Sequence, residues 1–449
     1  MNLRTITLAA LGLATALLQQ AALAQPLPEG RAVLTLKEAL SMARRNPPSV
    51  MAAIARMRAA EAQIDVARAG LKPSVGASFG ASLSAIQTQI LYGESTIPPG
   101  LVFPGIVPTA ALDGSIALRW PVADFGRTRL TISASKQAHM GARADVESTE
   151  SEAMLQVAAA YFTVLSDNEL VVQNRETVRK RAREAELSQA LVRSGSRAPF
   201  EQLRAEVALE AARTDLVLAE GAARRDSVAL ASALGLEPAR EFQLATPASY
   251  AANADEARAL EAAIRARPQL KAARARLEQA KYQLAAAQAS YRPLVSLNGS
   301  FGGRYANRVR SDAVVALGGA SVMLSVPLYD PTVTAAVRGL EAEVARADAA
   351  FQQLSLNVRT ETVHATTSLS TARAILAQTE RVAEVAATAI TQAEGRYQSG
   401  SSPLVELLDA QAADVLARVG VVRARLDVAL ATVHLLASTG QLDELLTHL

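Results

Sequence analysis

The stretch Ala393-Glu-Gly-Arg-Tyr-Gln-Ser-Gly-Ser-Ser-Pro-Leu-Val-Glu-Leu-Leu-Asp-Ala-Gln411 reads as a sharp helix-to-helix turn. It separates two segments too long and too regular for ordinary globular helices. Gly400 is the residue type that ends a helix in the left-handed conformation, Ser402 is placed to cap the next helix, and Pro403 suits its first turn, where a missing N–H costs nothing. Two helices therefore fold back on each other here. After the turn, Val405, Leu408, Ala412, Val415, Val419, Val422, Leu426, Ala429, Val433 and Leu436 are all apolar and alternate in spacing between three and four, a coiled-coil seam of about five heptads. Before it, Thr332 to Ser399 contains no proline, and as continuous helix at ~1.5 Å per residue would reach ~100 Å.

Composition agrees with rods more than with one large globular core. The chain has 449 residues, half of them hydrophobic, a formal net charge of +3 and only 4% aromatic side chains. That balance is not basic enough to imply nucleic acid. Abundant alanine and few aromatics point to close backbone approach, as in long helical hairpins. Arg4, the apolar run Ile6 to Leu18 and Ala22-Leu-Ala24 fit a secretory signal peptide cleaved after Ala24. The chain has no cysteine, which excludes disulfides, thiolate metal sites and a lipid-modified N-terminal cysteine. After the signal no run of 18 apolar residues occurs, so membrane insertion must be by β-strands.

Laying Pro48-to-Val75 on Pro268-to-Val295 matches alanines at 52/272, 53/273, 55/275, 60/280, 67/287 and 69/289, so the chain reads as a tandem repeat. In both copies an alanine-rich helix runs to Lys72-Pro73 or Arg292-Pro293, where proline stops it. Period-two alternation follows. Val75, Ala77, Phe79, Ala81 and Leu83 oppose Ser74, Gly76, Ser78, Gly80 and Ser82; Val295, Leu297, Gly299, Phe301 and Tyr305 do the same in the second copy. A second alternating segment follows each, through Ile116, Leu118 and Trp120, and through Val322, Leu324 and Val326. Each copy thus supplies one hairpin. The first has a long apolar tip, Thr88 to Ala110, and the second a shorter one around Asn307 to Val314.

Such segments are what a transmembrane barrel needs, with Trp120 as interface anchor. Four strands cannot close one, and unpaired edges are not tolerated in lipid, so the strands themselves imply an oligomer. The alternative for these strands alone is a soluble sheet with one wet face. The hairpins end in matching phrases, Trp120-Pro-Val-Ala-Asp-Phe-Gly126 and Val326-Pro-Leu-Tyr-Asp-Pro331, where proline is expected to leave the sheet. Arg127 to Ser194 is again free of proline and ends at Gly195, a second helix turn. The return helix repeats the seam with Ala205, Leu209, Ala212, Leu216, Ala219, Ala223, Leu230 and Ala233, interrupted at Asp226. Asp226 reads either as a functional polar break or as a solvated slip in the heptad.

With the turn Arg396-Tyr-Gln-Ser-Gly400, the run Glu406-Leu-Leu-Asp-Ala-Gln411, the strand exits at Pro121 to Gly126 and Pro327 to Asp330, and the helix starts at Pro48 and Pro268, the chain resembles the outer membrane efflux protein family, the TolC-type channels. The resemblance covers nearly all of the mature chain. It implies a mainly α protein with a membrane β-barrel, in which a homotrimer builds twelve outer-membrane strands continued by a helical coiled-coil tunnel through the periplasm. The implied partners are a periplasmic adaptor (membrane fusion) protein, an inner-membrane transporter and outer membrane lipid, with no cofactor. The expected plan is a signal peptide (1–24), an N-terminal periplasmic segment with the first helix (25–73), a hairpin (74–122), a long helical hairpin (123–235), an equatorial connector (236–267), the second copy's first helix (268–292), hairpin (293–328) and long helical hairpin (329–439), and a tail (440–449). The function implied is the passive exit duct of a tripartite efflux system. The outer component of a type I protein secretion system is the alternative within the family, and a soluble periplasmic coiled-coil scaffold the alternative outside it.

Glu406 and Asp409 stand three apart at a helix start and share one face. By resemblance they sit at the periplasmic entrance, where threefold symmetry makes two rings of carboxylates favouring cations. They also serve the helix dipole, worth ~0.3 to 1 kcal/mol, and both readings hold together. The family often has an arginine just after the turn glycine; here Ser401 and Ser402 occupy that stretch. Arg193, Arg197 and Glu201 of the first turn are the substitutes, expected to pair with Glu406 or Asp409, with Tyr397 adding a hydroxyl to the same latch. Enzyme motifs fail on context. Gly76-Ala-Ser-Phe-Gly80 matches a nucleophile-elbow string but lies inside an alternating strand. His139, His364, His434 and His448 show no metal-ligand spacing.

Overall fold

A computed structural model describes residues 33–88, 105–237, 242–246, 255–308 and 311–443. The expected signal peptide, the apolar centre of the first hairpin tip and His448 lie outside the described residues. The elements are β1 (Val33–Leu34), α1 (Leu36–Ala43), α2 (Pro48–Ala69), β2 (Ser74–Thr88), β3 (Gly105–Ala123), α3 (Arg127–Arg193), α4 (Pro199–Ala233), β4 (Gln243–Leu244), α5 (Glu256–Ala266), α6 (Pro268–Gln288), a 3-10 turn (Ala289–Tyr291), β5 (Leu294–Arg308), β6 (Ser311–Ser325), α7 (Pro331–Gln398) and α8 (Leu404–Thr439). The order from α2 to α4 recurs from α6 to α8. Helices α3 and α7 have 67 and 68 residues, ~100 Å each. None of the described helices is long and apolar enough to cross a membrane.

The four long strands form one antiparallel sheet in the order β2-β3-β5-β6. Its register brings like side chains onto one face. Val75 stands opposite Leu118, Ile116 opposite Phe301, and Trp120 opposite Leu297, which in turn faces Val322. Phe79 is 89% and Phe301 68% exposed, so this apolar face has no cover among the described residues. The other face carries serines and the ion pair Arg304–Asp113 at 3.2 Å. Both outer strands, β2 and β6, have an unpaired edge.

Two details of the strands differ from expectation. The ladder continues through residues expected in the first tip, with Thr88 opposite Gly105, and the second closes tightly, with Arg308 opposite Ser311. Proline 121 does not leave the sheet: β3 runs on to Ala123, and the register shifts between Pro121 and Ala123. An irregularity is where a ladder tolerates a residue without an N–H. The exit comes at Asp124-Phe-Gly126, where Phe125 (φ 50) and Gly126 (φ 102) turn left-handed. Asp124 accepts hydrogen bonds from the N–H groups of Gly126 and Thr128 at 3.1 and 2.6 Å, and Asp330 accepts from Thr332 N–H at 2.9 Å. The aspartate of each exit phrase thus caps the long helix that follows.

Below the sheet α2, α3, α6 and α7 pack side by side, and further down α3 pairs with α4, α7 with α8, and α3 with α8. The largest buried cluster lies midway. There Leu36, Ala39, Leu40 and Ala43 of α1 pack on Met154, Val157, Ala158, Tyr161 and Phe162 of α3, on Leu230 and Leu234 at the end of α4, and on Val433 of α8. The buried Tyr161 hydroxyl lies between the carbonyls of Leu34 (2.9 Å) and Ala245 (2.6 Å), tying the parallel pair β1 and β4 to α3. Burial pushes its pKa up to about 12.

The seam of α4 forms as read, with Ala205, Ala212 and Leu230 buried and Leu209, Leu216, Ala219, Ala223 and Ala233 partly so. Asp226 is half-buried on that same seam and acts electrostatically on Asp167 of α3, so it is no solvated slip in the heptad. The α8 seam differs in its first half. Leu404, Leu407, Gln411, Asp414 and Ala417 are buried there, while Val405 and Ala412 of the expected seam are exposed. An apolar count misses this face because two of its members are polar, and both find partners.

Candidate functional site

The two long hairpins end in turns built alike. Gly195 and Gly400 both have φ +75. Around them the N–H of Ser196 donates to the Leu191 carbonyl at 3.0 Å, and that of Ser401 to the Arg396 carbonyl at 2.9 Å. These are left-handed helix ends in which glycine avoids the Cβ penalty. Pro403 takes the N-cap position one residue before α8, outside its first turn. Ser402 makes no capping bond; it is buried, and its Oγ has no partner among the described residues. Its position under the turn, more than its hydroxyl, is what the fold uses.

Tyr397, on the last turn of α7, packs with Ala393, Leu404, Leu407 and, across the hairpins, Ala205. The Arg197 guanidinium lies over its ring, 5.1 Å from the centroid. Arg197 also pairs with Glu201 at 3.6 Å, both side chains about four-fifths covered. The Tyr397 hydroxyl and Glu201 Oε2 are buried without partners among the described residues. Burial, then the nearby Glu201 charge, raises the Tyr397 pKa, while Arg197 opposes the shift. The first turn therefore meets the second through a cation and a ring, not through a tyrosine hydroxyl bond.

The expected pairing of Arg193, Arg197 or Glu201 with Glu406 or Asp409 does not form within the chain. Glu406 pairs with Arg396, on the last turn of α7, at 2.6 Å. An arginine before the turn glycine is closer to the start of α8 than any on the first turn. Asp409 and Arg193 are exposed.

A polar cluster that the sequence reading missed lies one to two turns above. Arg181 of α3 pairs with Glu184 at 3.2 Å and donates to the Gln411 side-chain oxygen, and the Gln411 amide donates to Glu184. Gln411 is 5% and Asp414 3% exposed, and Asp414 takes Arg418 Nε at 2.9 and 3.0 Å. Beside them is a cavity of about 30 Å³, roomy enough for water. Burial raises the Glu184 pKa, against the pull of Arg181 and of the Gln411 bond. The signal in the sequence was Gln411 itself, a polar residue at a seam spacing from Leu404 and Leu407.

Among the described residues no cluster of potential ligands fits a metal ion. An uncovered apolar face on an open antiparallel sheet, carried on helical hairpins ~100 Å long with paired turns at the far end, defines a channel protein that crosses one membrane by strands and a second compartment by helices. The chain belongs to the outer membrane efflux protein family, whose model matches residues 39–236 and 259–441. It is an outer membrane channel with a large periplasmic portion. Protein CyaE of Bordetella pertussis is 28% identical over 418 residues, covering 91% of this chain and 84% of that one. In structure the chain is similar to the outer-membrane channel OprN, with a TM-score of 0.75, 22% identity and 90% of each chain covered. It is similar also to the open state of the MtrE channel of Neisseria gonorrhoeae, with a TM-score of 0.70, 20% identity, and 93% of this chain and 94% of that one covered.

Proposed function

We propose that three copies of the chain close into one passive exit duct whose periplasmic entrance is formed by the paired helix turns. The observation that carries this reading is the sheet. Its four strands leave the edges of β2 and β6 open while one face of the described residues is apolar. A four-stranded sheet cannot close on itself, so lipid forces each open edge onto another copy; three copies of four strands give twelve. The apolar face meets outer membrane lipid, and Trp120, whose indole N–H donates to the Leu71 carbonyl at 3.1 Å, marks the periplasmic rim. The signal peptide, connector and tail boundaries read from the sequence, with the first hairpin carried on to Ala123, complete this plan.

At the entrance Glu406 and Asp409 form two carboxylate rings; the exposed Asp409 ring favours cations most, because Arg396 compensates Glu406. The Arg197–Tyr397 contact, with Glu201 holding Arg197, latches the first hairpin of each copy to its second. Gly195, Gly400, Ser402 and Pro403 fix the turns, and the exposed Arg193 lies beside the Gly195 turn at the same entrance. An inner-membrane transporter drives export and a periplasmic adaptor joins it to the tips. Native mass spectrometry in detergent, followed by reversal potentials in planar bilayers under a salt gradient, tests this reading. A trimer whose cation preference falls in Glu406→Ala/Asp409→Ala supports it. A monomer, or a selectivity the double variant leaves unchanged, contradicts the assembly or the rings respectively.

A further inference from the structure

The small-residue seam between α3 and α4 contains one acid on each side. Asp226 of α4 is half-buried on this seam at the height of Asp167 of α3, whose Oδ2 is enclosed and has no donor among the described residues. Two ionised carboxylates offer only acceptors, so that oxygen stays unsatisfied and the two charges repel. A single proton on Asp167 turns the same contact into a hydrogen bond and removes the repulsion. We propose that Asp167 holds a proton that it donates to the Asp226 carboxylate, and that the pair acts as a pH-sensitive clasp in the seam of the first long hairpin.

The groups acting on Asp167 fix where the clasp switches. Burial, then the hydrogen bond and charge of Asp226, push its pKa up to about 6, and Arg225 of α4 pulls the other way. Below that pH the Asp167 proton holds the seam closed. As pH rises through it the proton leaves, two like charges face each other, and the seam loosens locally. The place matters for the hairpin as a whole. Asp167 follows Tyr161, Phe162 and Val164 of the central core along α3, and Asp226 precedes Leu230 of that core on α4. The clasp therefore sits where the hairpin leaves its anchorage, and loosening it frees the portion that runs to the Gly195 turn. The clasp does not depend on the entrance reading: the seam titrates whatever the tips do.

Hydrogen exchange of the full-length protein in lipid nanodiscs, from about pH 5 to about pH 8 and corrected for intrinsic rates, tests it. Peptides covering 163–171 and 222–230 are expected to exchange several-fold faster above about pH 6, while peptides of α7 and α8 at the same height do not change. Asp167→Asn and Asp226→Asn each leave one carboxylate facing an amide that can donate, so the step disappears in both. Where one variant fails to assemble, the other carries the comparison. A flat wild-type profile, or a step of the same size in Asp226→Asn, overturns the proposal.

Discussion

The guanidinium of Arg197 lies 5.1 Å from the ring centre of Tyr397, joining the tip of one hairpin to the last turn of the other. Because the tyrosine hydroxyl has no partner among the described residues, the ring and not the hydroxyl carries the contact. Tyr397→Phe is expected to leave single-channel open time unchanged. Arg197→Ala removes a mostly covered cation from the ring, worth about 0.5–2 kcal/mol, and lengthens openings accordingly. Recordings in which Tyr397→Phe opens the channel as much as Arg197→Ala would assign the latch to the hydroxyl instead.

Gln411 bridges Arg181 and Glu184 across α3 and α8. Gln411→Ala removes both bonds and leaves the two α3 groups with less satisfied neighbours, an expected cost of about 1–3 kcal/mol. Gln411→Met fills the seam at similar volume but makes neither bond. Thermal unfolding separates the two effects: a loss confined to the alanine variant would assign the role of Gln411 to packing.

Glu184 gives the same cluster a pH dependence. Burial raises its folded-state pKa above the ordinary glutamate value, so the folded protein holds that proton more tightly than the unfolded chain. Its contribution is complete below the ordinary value and is lost as pH rises through the raised one. Unfolding temperature measured across the acid range is therefore expected to fall less with rising pH in Glu184→Gln than in wild type. Equal slopes would remove Glu184 from the titration.

Two glycines of one turn region predict opposite signs. Gly400 sits at φ +75, so Gly400→Ala forces a left-handed alanine at about 1–2 kcal/mol. Gly395 lies inside α7 with open space around its Cβ position, so Gly395→Ala gains up to about 1 kcal/mol of helix propensity. Thermal unfolding of the two variants checks the contrast, and destabilisation by both would mean that the Gly395 face is occupied in the assembly.

Much of this was legible in the residues because the fold is repetitive. Alternation in Val75 to Leu83 and in Val295 to Tyr305 marked the strands, and Gly195 and Gly400 marked the turns, since each signal is local. What escaped was nonlocal. The burial of Gln411 and Asp414 depends on Arg181 and Arg418, which an apolar count does not weigh. The pairing of Glu406 with Arg396 depends on how tightly the turn closes. Pro121 stayed in its strand because a register shift across from Val295 and Ser296 removed the need for its N–H, and no spacing along one strand reveals that. Asp226 looked like an error in a heptad until Asp167 stood opposite.

The central claim, that this chain forms a duct, is tested most directly by single-channel recording of the purified mature protein in planar bilayers. Discrete, long-lived conductance steps that appear without any energy source are expected. Well-folded protein that never inserts, and that stays soluble without detergent, would contradict it and return the chain to a periplasmic scaffold.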